Sequence, residues 1–98
     1  TIQMPIPKAQ YRVPKIAAKV NIGERTQQTA VNLLEQAEKK RTTAGKDPMG
    51  LAAAALYIAC VMNEEKRTQK MIADAAGVTE VTIRNRYKGL KEALKLDI

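Results

Sequence analysis

The side chains with the clearest capacity to recognise a partner are grouped in one short stretch, at Val81, Arg84, Asn85 and Lys88. Arg can donate two hydrogen bonds to guanine, Asn can pair in the same way with adenine, and Val can contact a thymine methyl group. A Lys further along the chain is a natural partner for a phosphate. At about 100° per residue on a helix, these side chains lie opposite Ile83 or to its side. The pattern is typical of a helix that reads bases in the major groove of DNA.

Two helices joined by a tight turn are predicted to hold this face in place. Gly77 ends the first of them, because glycine tolerates the left-handed backbone that is common at a helix C-terminus. Ala73 is small enough for the two helices to cross closely, and Ile83 is expected to anchor the second helix to the core. The segments are Gln69–Ala76 with Thr68 as its N-cap and Glu80–Leu94 with Thr79 as its N-cap. They predict a helix-turn-helix over residues 68–94.

Phosphate contacts are expected around this face, since such contacts fix a protein on the duplex without specifying the sequence. Arg86 falls closer to the core side of the helix than Arg84, so we expect it to reach a phosphate or to form a contact within the domain. The predicted phosphate-binding residues are Thr68, Gln69, Lys70, Thr79, Arg86 and Lys88. A helical hairpin whose polar face is only solvated is the alternative interpretation of the same pattern.

Composition and charge agree with a small helical domain that binds a polyanion. The 98-residue chain has the length of one domain, and 45% of its residues are hydrophobic. The aromatic residues are three Tyr, so the core must consist of Ala, Leu, Ile, Val and Met, which favours helices over sheets. The 17 basic and 10 acidic residues give a net charge of +7. This charge predicts nucleic acid as the partner ahead of a membrane surface, or else only maintains solubility.

Catalytic and metal chemistry are poorly served by these residues. The chain has no His and a single Cys, Cys60, which lies in an apolar run. The commonest general base and metal ligand is therefore absent, and neither an internal disulfide nor a Cys-based zinc site can form. No nucleophile–base pair and no glycine-rich phosphate loop is visible. We predict that the chain is not an enzyme and uses no metal or cofactor, and that Cys60 is a buried structural residue.

Three further helices are predicted before the helix-turn-helix. Their bounds are about Tyr11–Val20 with Pro14 in the first turn, about Glu24–Lys40, and residues 51–62 preceded by the N-cap Asp47 and by Pro48. The third is apolar all round, which predicts a buried central helix, and it is too short to cross a membrane. Residues 1–10, with Pro5 and Pro7, are predicted to be a linker. The folded domain is then residues 11–98.

With these elements laid out, the sequence resembles the C-terminal cyclin-like repeat of archaeal transcription factor B, the counterpart of eukaryotic transcription factor IIB. The resemblance covers nearly the whole chain, and its last block is the most specific. The matching stretches are Tyr11–Lys15, Gly45–Ala59, Lys66–Gln69 and Ala75–Lys88. Residues 1–8 match no motif of the family and are assigned to the linker between repeats.

The resemblance implies an all-α, five-helix cyclin-like fold with a buried third helix and a C-terminal helix-turn-helix. It also implies binding to the B recognition element, just upstream of the TATA box, through the last helix in the major groove. Val81 and Arg84 match base-reading positions of the family and Thr82 lies beside them; with Asn85, these are the predicted base-reading residues. The implied partners are double-stranded promoter DNA, TATA-binding protein and, through the full-length factor, RNA polymerase.

The expected setting is the archaeal cytoplasm at the nucleoid, or the nucleus in a eukaryote, with the domain as a monomer away from membranes. A cyclin-like module that binds only proteins, without sequence-specific DNA contact, is the alternative function, because a fold does not fix a function. Salt separates the two, since binding through several phosphates weakens steeply as salt rises. The face formed by Val81, Arg84, Asn85 and Lys88 favours DNA, because a protein-binding module has no need of it.

Overall fold

The computed structural model describes residues 8–43 and 45–97, and within these residues it contains five α-helices and no strands. The helices are α1 (Val13–Lys19), α2 (Glu24–Lys39), α3 (Pro48–Met62), α4 (Gln69–Ala76) and α5 (Glu80–Leu94), and a 3₁₀ turn, Ala9–Arg12, leads into α1. The prediction of an all-α domain with five helices is confirmed. No helix in the described part of the chain is both long and apolar enough to cross a membrane. The predicted linker falls largely on residues 1–7, which lie outside the described residues.

Helix α3 occupies the centre of the domain, as its apolar sequence predicts. The four consecutive alanines at positions 52–55 are fully buried, as are Leu56 and Ile58. Successive residues of a helix point about 100° apart, so burial of four in a row requires neighbours on every side. The 3₁₀ turn and helices α1, α2, α4 and α5 all pack against α3. The short Ala side chains allow these neighbours to approach the α3 backbone closely.

The predicted N-caps of the last three helices are all formed. Asp47 Oδ2 accepts a hydrogen bond from the Gly50 N–H at 3.3 Å at the start of α3. Thr68 Oγ1 accepts from the Met71 N–H at 3.0 Å, and Thr79 Oγ1 accepts from the Thr82 N–H at 3.1 Å. Each such bond satisfies a donor that the helix leaves free and is worth about 1 kcal/mol. These caps fix where α3, α4 and α5 begin.

The start of α1 differs from the prediction. A single helix was expected from about Tyr11, but the chain enters through the 3₁₀ turn and becomes α-helical only at Val13. Pro14 explains the difference, because it has no N–H to donate to the carbonyl of Gln10. That carbonyl instead accepts the Val13 N–H, which closes the tighter turn. The 3₁₀ turn begins at Ala9, whose side chain is buried.

A carboxylate from the loop between α3 and α4 caps α2 from outside the helix. Glu65 Oε2 accepts the Gly23 N–H at 2.9 Å, and Glu65 Oε1 accepts the Thr26 hydroxyl at 2.6 Å. The hydrogen bond from Thr26, and then the one from Gly23, lowers the pKa of Glu65. Arg67 lies nearby, with Nη2 3.8 Å from Glu65 Oε2. The anionic side chain thus stabilises the positive end of α2.

Arg67 in the same loop holds the end of α1. Its Nε donates to the carbonyl of Val20 at 2.6 Å, and its Nη2 donates to the carbonyl of Asn21 at 2.8 Å. These carbonyls follow α1, where a cation is favourable. The loop that leads into α4 is therefore fastened to both α1 and α2, although no local sequence pattern singles it out.

Candidate nucleic-acid interface

The turn between α4 and α5 is built around Gly77, as predicted. Gly77 has φ 71° and ψ 30°, in the left-handed region. The next residue, Val78, donates its N–H to the carbonyl of Ala73 at 3.0 Å, and Ala73 itself is buried. A left-handed backbone disfavours residues with a Cβ by about 1–2 kcal/mol. Glycine at this position therefore allows the sharp turn that sets the direction of α5.

Helix α5 is held to the core along one side. Ile83 is fully buried and Leu90 is 2% exposed. Tyr87 is half-buried and packs edge-on against Tyr57 of α3, with ring centroids 5.6 Å apart and an interplanar angle of 86°. Such aromatic pairs stabilise by about 0.5–1.5 kcal/mol beyond the area they bury. These contacts confirm the predicted core direction of the helix and leave its opposite side open.

The open side of α5 carries the predicted reading face. Val81, in the first turn of the helix, is 55% exposed. Arg84, Asn85 and Lys88 are also exposed. Among the described residues, none of these three forms an ion pair or a side-chain hydrogen bond. Their donors are therefore free for a partner.

Thr82 lies at the edge of this face and not within it. Its side chain is half-buried on a flank about 100° from Ile83. The Thr82 hydroxyl is 3.0 Å from Oγ1 of Thr79, and its methyl group faces Gly50 at the start of α3. The structure thus brings Val81 and the exposed polar residues together and directs Thr82 towards α3. A role for Thr82 in reading bases stays a prediction.

Arg86 lies on the same flank as Thr82. Its side chain is half-buried, and a Cβ atom added to Gly50 would lie 3.8 Å from Arg86 Cγ. The aliphatic part of the side chain therefore packs over the start of α3. The guanidinium forms no ion pair with any described residue. Arg86 thus combines a contact within the domain with a charge that is free for an anion.

The remaining predicted phosphate contacts lie at the starts of α4 and α5. Thr68, Lys70 and Thr79 are exposed, whereas Gln69 is half-buried. The hydroxyls of Thr68 and Thr79 already cap their helices. Lys70 Nζ lies 3.6 Å from Asp74 Oδ2, but both side chains are at least 70% exposed, so this ion pair is weak. The role of these residues at phosphates stays a prediction.

Two residues outside the helix-turn-helix also shape the interface, and neither was among the predicted site residues. Gly50 lets α5 approach the start of α3, and a glycine inside a helical pattern is a signal of such close approach. Lys46 precedes α3 and lines a shared cavity with Arg86. No local pattern identifies Lys46, because its neighbour on α5 is 40 residues away along the chain.

The model of the family described as "Transcription factor TFIIB repeat" matches residues 2–93 of the chain. The chain belongs to this family. Its five helices are the cyclin-like, all-α fold of a TFIIB repeat, which confirms the fold class predicted from the sequence. The family is one of transcription factors, which confirms the prediction that the chain is not an enzyme.

Full-length TFIIB relatives from archaea align with almost all of the chain. The protein named "Transcription initiation factor IIB" of Sulfurisphaera tokodaii is 48% identical over 97 residues, which are 99% of this chain and 32% of the relative. The protein of the same name from Methanopyrus kandleri is 51% identical over 86 residues, 88% of this chain and 28% of the relative. That of Archaeoglobus fulgidus is 45% identical over 95 residues, 97% of this chain and 29% of the relative. The chain spans about a third of the length of these curated relatives, and its resemblance to the archaeal factor is confirmed.

Proposed function

We propose that this domain is the second cyclin-like repeat of a basal transcription initiation factor and binds promoter DNA. In this proposal α5 enters the major groove of the B recognition element, just upstream of the TATA box. Val81, Arg84 and Asn85 contact bases, with Thr82 at the edge of the contact. The proposal includes residues 11–98 as the folded repeat and residues 1–10 as the linker before it.

The observation that carries this proposal is the open face of α5. It presents an exposed Val, Arg, Asn and Lys within Glu80–Lys88, at the capped N-terminal end of α5. A side chain that reads a base must be exposed and free of partners in its own protein, and among the described residues Arg84 and Asn85 meet both conditions. The net charge of +7 adds attraction to the phosphates. Solvation alone requires no such combination of side chains.

The proposed function includes three partners, and membership of the family supports them. The domain acts with TATA-binding protein on the promoter, and the full-length factor recruits RNA polymerase. The phosphate contacts come from Thr68, Gln69, Lys70, Thr79, Arg86 and Lys88. The domain acts as a monomer at the nucleoid in the archaeal cytoplasm.

A titration followed by amide NMR tests the proposal. The isotope-labelled chain is titrated with a duplex that carries an archaeal B recognition element, and with a duplex in which only that element is scrambled. We expect the largest shifts at Gly77–Lys88, and larger shifts with the native duplex. The Arg84→Ala variant is the matched control and should show nearly equal shifts with the two duplexes.

Other results would contradict the proposal in different ways. Equal shifts of the unaltered chain with both duplexes would mean binding to phosphates alone. No shifts at moderate salt, together with salt-insensitive binding to TATA-binding protein, would favour the protein-interaction function, because an apolar interface responds weakly to salt. Shifts centred on α1 or α2 would assign the DNA surface to another face.

A further inference from the structure

The two flanks of α5 present cations in different ways. At about 100° per residue from Ile83, one flank carries Arg84 and Lys91, with Lys88 between it and the open face. The other flank carries Arg86 as its one charged residue. An α-helix is about 10–12 Å across, and the major groove is about 12 Å wide, so a helix seated there has one phosphate wall against each flank. On α5 itself, the second flank therefore offers a single positive charge to the phosphate backbone that it would face.

Neighbouring elements add positive charge on that second flank. Lys46, in the loop before α3, lines a cavity of about 220 Å³ together with Arg86, Thr42, Leu51, Gly89 and Leu90. Lys40, at the end of α2, donates from Nζ to the carbonyl of Ala93 at 3.0 Å, about two turns beyond Arg86 on α5. Lys40, Lys46 and Arg86, the flank cluster, thus come from three separate elements.

The charges at the centre of the flank cluster are free. Neither Lys46 nor Arg86 forms an ion pair with a described residue, and Lys46 is exposed. A Cβ atom on Gly89 would meet nothing within 4 Å, so α5 carries no obstructing side chain at this position of the flank. The acidic residue next to Lys46 in the chain, Asp47, accepts a hydrogen bond from the Gly50 N–H. Its carboxylate is therefore directed at the α3 backbone.

From this arrangement we infer that the flank cluster binds the phosphodiester backbone of one DNA strand, with Lys46 as its main contact beside Arg86. Lys88 binds the opposite strand across the groove. The inference rests on the proposed function, since it assumes that α5 enters the major groove. It extends the DNA surface beyond the helix-turn-helix to the loop between α2 and α3.

The test measures binding to the native and scrambled duplexes by fluorescence anisotropy over a range of salt. The variant is Lys46→Gln, and the control is Lys15→Gln, which removes an equally exposed charge from α1, a helix with no contact to α5. Each phosphate contact contributes about 0.9 to the slope of log affinity against log salt. We expect Lys46→Gln to lower that slope by about 0.9. It should also weaken binding to both duplexes by the same factor, about 5-fold near 0.1 M salt. Lys15→Gln should leave the slope unchanged.

A second measurement assigns the strand. Single phosphates of the native duplex are replaced, one at a time, by uncharged methylphosphonate linkages. Neutralising a phosphate that Lys46 binds should lower the affinity of the unaltered chain. The same replacement should leave the affinity of the Lys46→Gln variant unchanged. In the same scan, the phosphates whose neutralisation leaves the affinity of Lys88→Gln unchanged should lie on the other strand.

The outcomes separate this inference from the proposed function. If Lys46→Gln behaves like Lys15→Gln while Arg84→Ala abolishes the preference for the native duplex, the flank cluster is wrong and the proposed function stands. The inference would also be overturned if the phosphates assigned to Lys46 and to Lys88 by this scan lay on the same strand. An unaltered chain with no preference between duplexes would contradict base reading, and the slope and the strand would still decide the role of Lys46. An unaltered chain that binds neither duplex would overturn both.

Discussion

The backbone of Gly50 lies directly against the methyl group of Thr82, such that a Cβ atom on Gly50 would be 3.0 Å from Thr82 Cγ2. This contact joins the first turn of α3 to the first turn of α5. Thr82 has little room to move, because its hydroxyl lies 3.0 Å from that of Thr79 and its own N–H is bonded to the Thr79 cap. The close approach therefore sets the position of the open face of α5 on the domain.

Gly50→Ala should destabilise the domain by about 1 kcal/mol. Alanine favours a helix over glycine by about 0.5–1 kcal/mol, but a clash in a packed contact typically costs about 1–3 kcal/mol. Urea unfolding followed by circular dichroism measures the change. The double variant Gly50→Ala with Thr82→Ser removes the opposing methyl group and should recover most of the loss. A Gly50→Ala domain that is more stable than the original would contradict the close contact.

Gly89→Ala should stabilise the domain by about 0.5–1 kcal/mol. Gly89 lies inside α5, and a Cβ there would meet nothing within 4 Å, so only the helix preference of alanine remains. Gly77→Ala is the contrasting variant, because Gly77 has φ 71° and an L-residue there is strained. Gly77→Ala should destabilise by about 1 kcal/mol. Thermal unfolding of both variants gives the two signs, and equal signs would argue against the described turn.

Acid should weaken the domain through Glu65. Its pKa is lowered in the folded chain by the hydrogen bonds from Thr26 and Gly23. A lowered folded pKa contributes stability above the unfolded pKa, and this contribution is lost as the pH falls through the folded pKa. Glu65→Gln should therefore cost about 1–2 kcal/mol near pH 7, with a difference from the original chain that narrows below about pH 4.

Urea unfolding at a series of pH values checks this dependence on Glu65. Glu64→Gln is the matched control, because Glu64 is the adjacent exposed carboxylate in the same loop. The Glu64 side chain forms no hydrogen bond or ion pair with a described residue, so Glu64→Gln should leave the free energy of unfolding near pH 7 unchanged. If the stability of Glu65→Gln had the same pH dependence as that of the original chain, Glu65 would not cap α2.

Arg84→Ala should cost about 1–3 kcal/mol of binding to the native duplex and relax the base preference. The side chain is exposed on the open face and has no partner among the described residues, so the fold should be unaffected. Lys88→Ala is the comparison. Lys88→Ala should weaken binding to both duplexes by the same factor, since a phosphate contact carries no base preference. It should also lower the slope of log affinity against log salt by about 1. Competition binding with the two duplexes measures both effects, and an unchanged preference in Arg84→Ala would exclude it as a base reader.

Cys60 should be unreactive until the domain unfolds. The side chain is 1% exposed, and burial, with a smaller effect of Glu65, raises the pKa of the thiol to about 11. At pH 8 only about one thiol in a thousand is then ionised, and the thiolate is the reactive form. Alkylation by iodoacetamide, followed by mass spectrometry, should be at least 100-fold slower in the folded chain than in urea. Comparable rates in the two conditions would show that Cys60 is accessible.

The five helices, and the starts of the last three, could be predicted because their signals are local. Thr68 precedes α4, Gly77 follows it and Thr79 precedes α5, and each acts on backbone groups within a few residues. The buried α3 was predictable for a similar reason, since its apolar residues cover every side. The open face of α5 followed from the helical period alone, once Ile83 was taken as the direction of the core.

The parts that could not be predicted depend on residues far apart in the chain. Glu65 meets Gly23 and Thr26 across 42 and 39 residues, and no spacing rule connects them. The contact between Thr82 and Gly50 likewise depends on how α3 crosses α5. The sequence pattern placed Thr82 beside the base readers along the chain, whereas packing directs its methyl group to α3.

The run of buried alanines in α3 has a consequence for how the domain tolerates change. Positions 52–55 point in four directions about 100° apart, and each meets a different side of the surrounding shell. One added methyl group at each position in turn would displace a different neighbour by a small, directed amount. Such a series would change the distances between α3 and its neighbours, α5 among them, one at a time and without altering any residue at the surface.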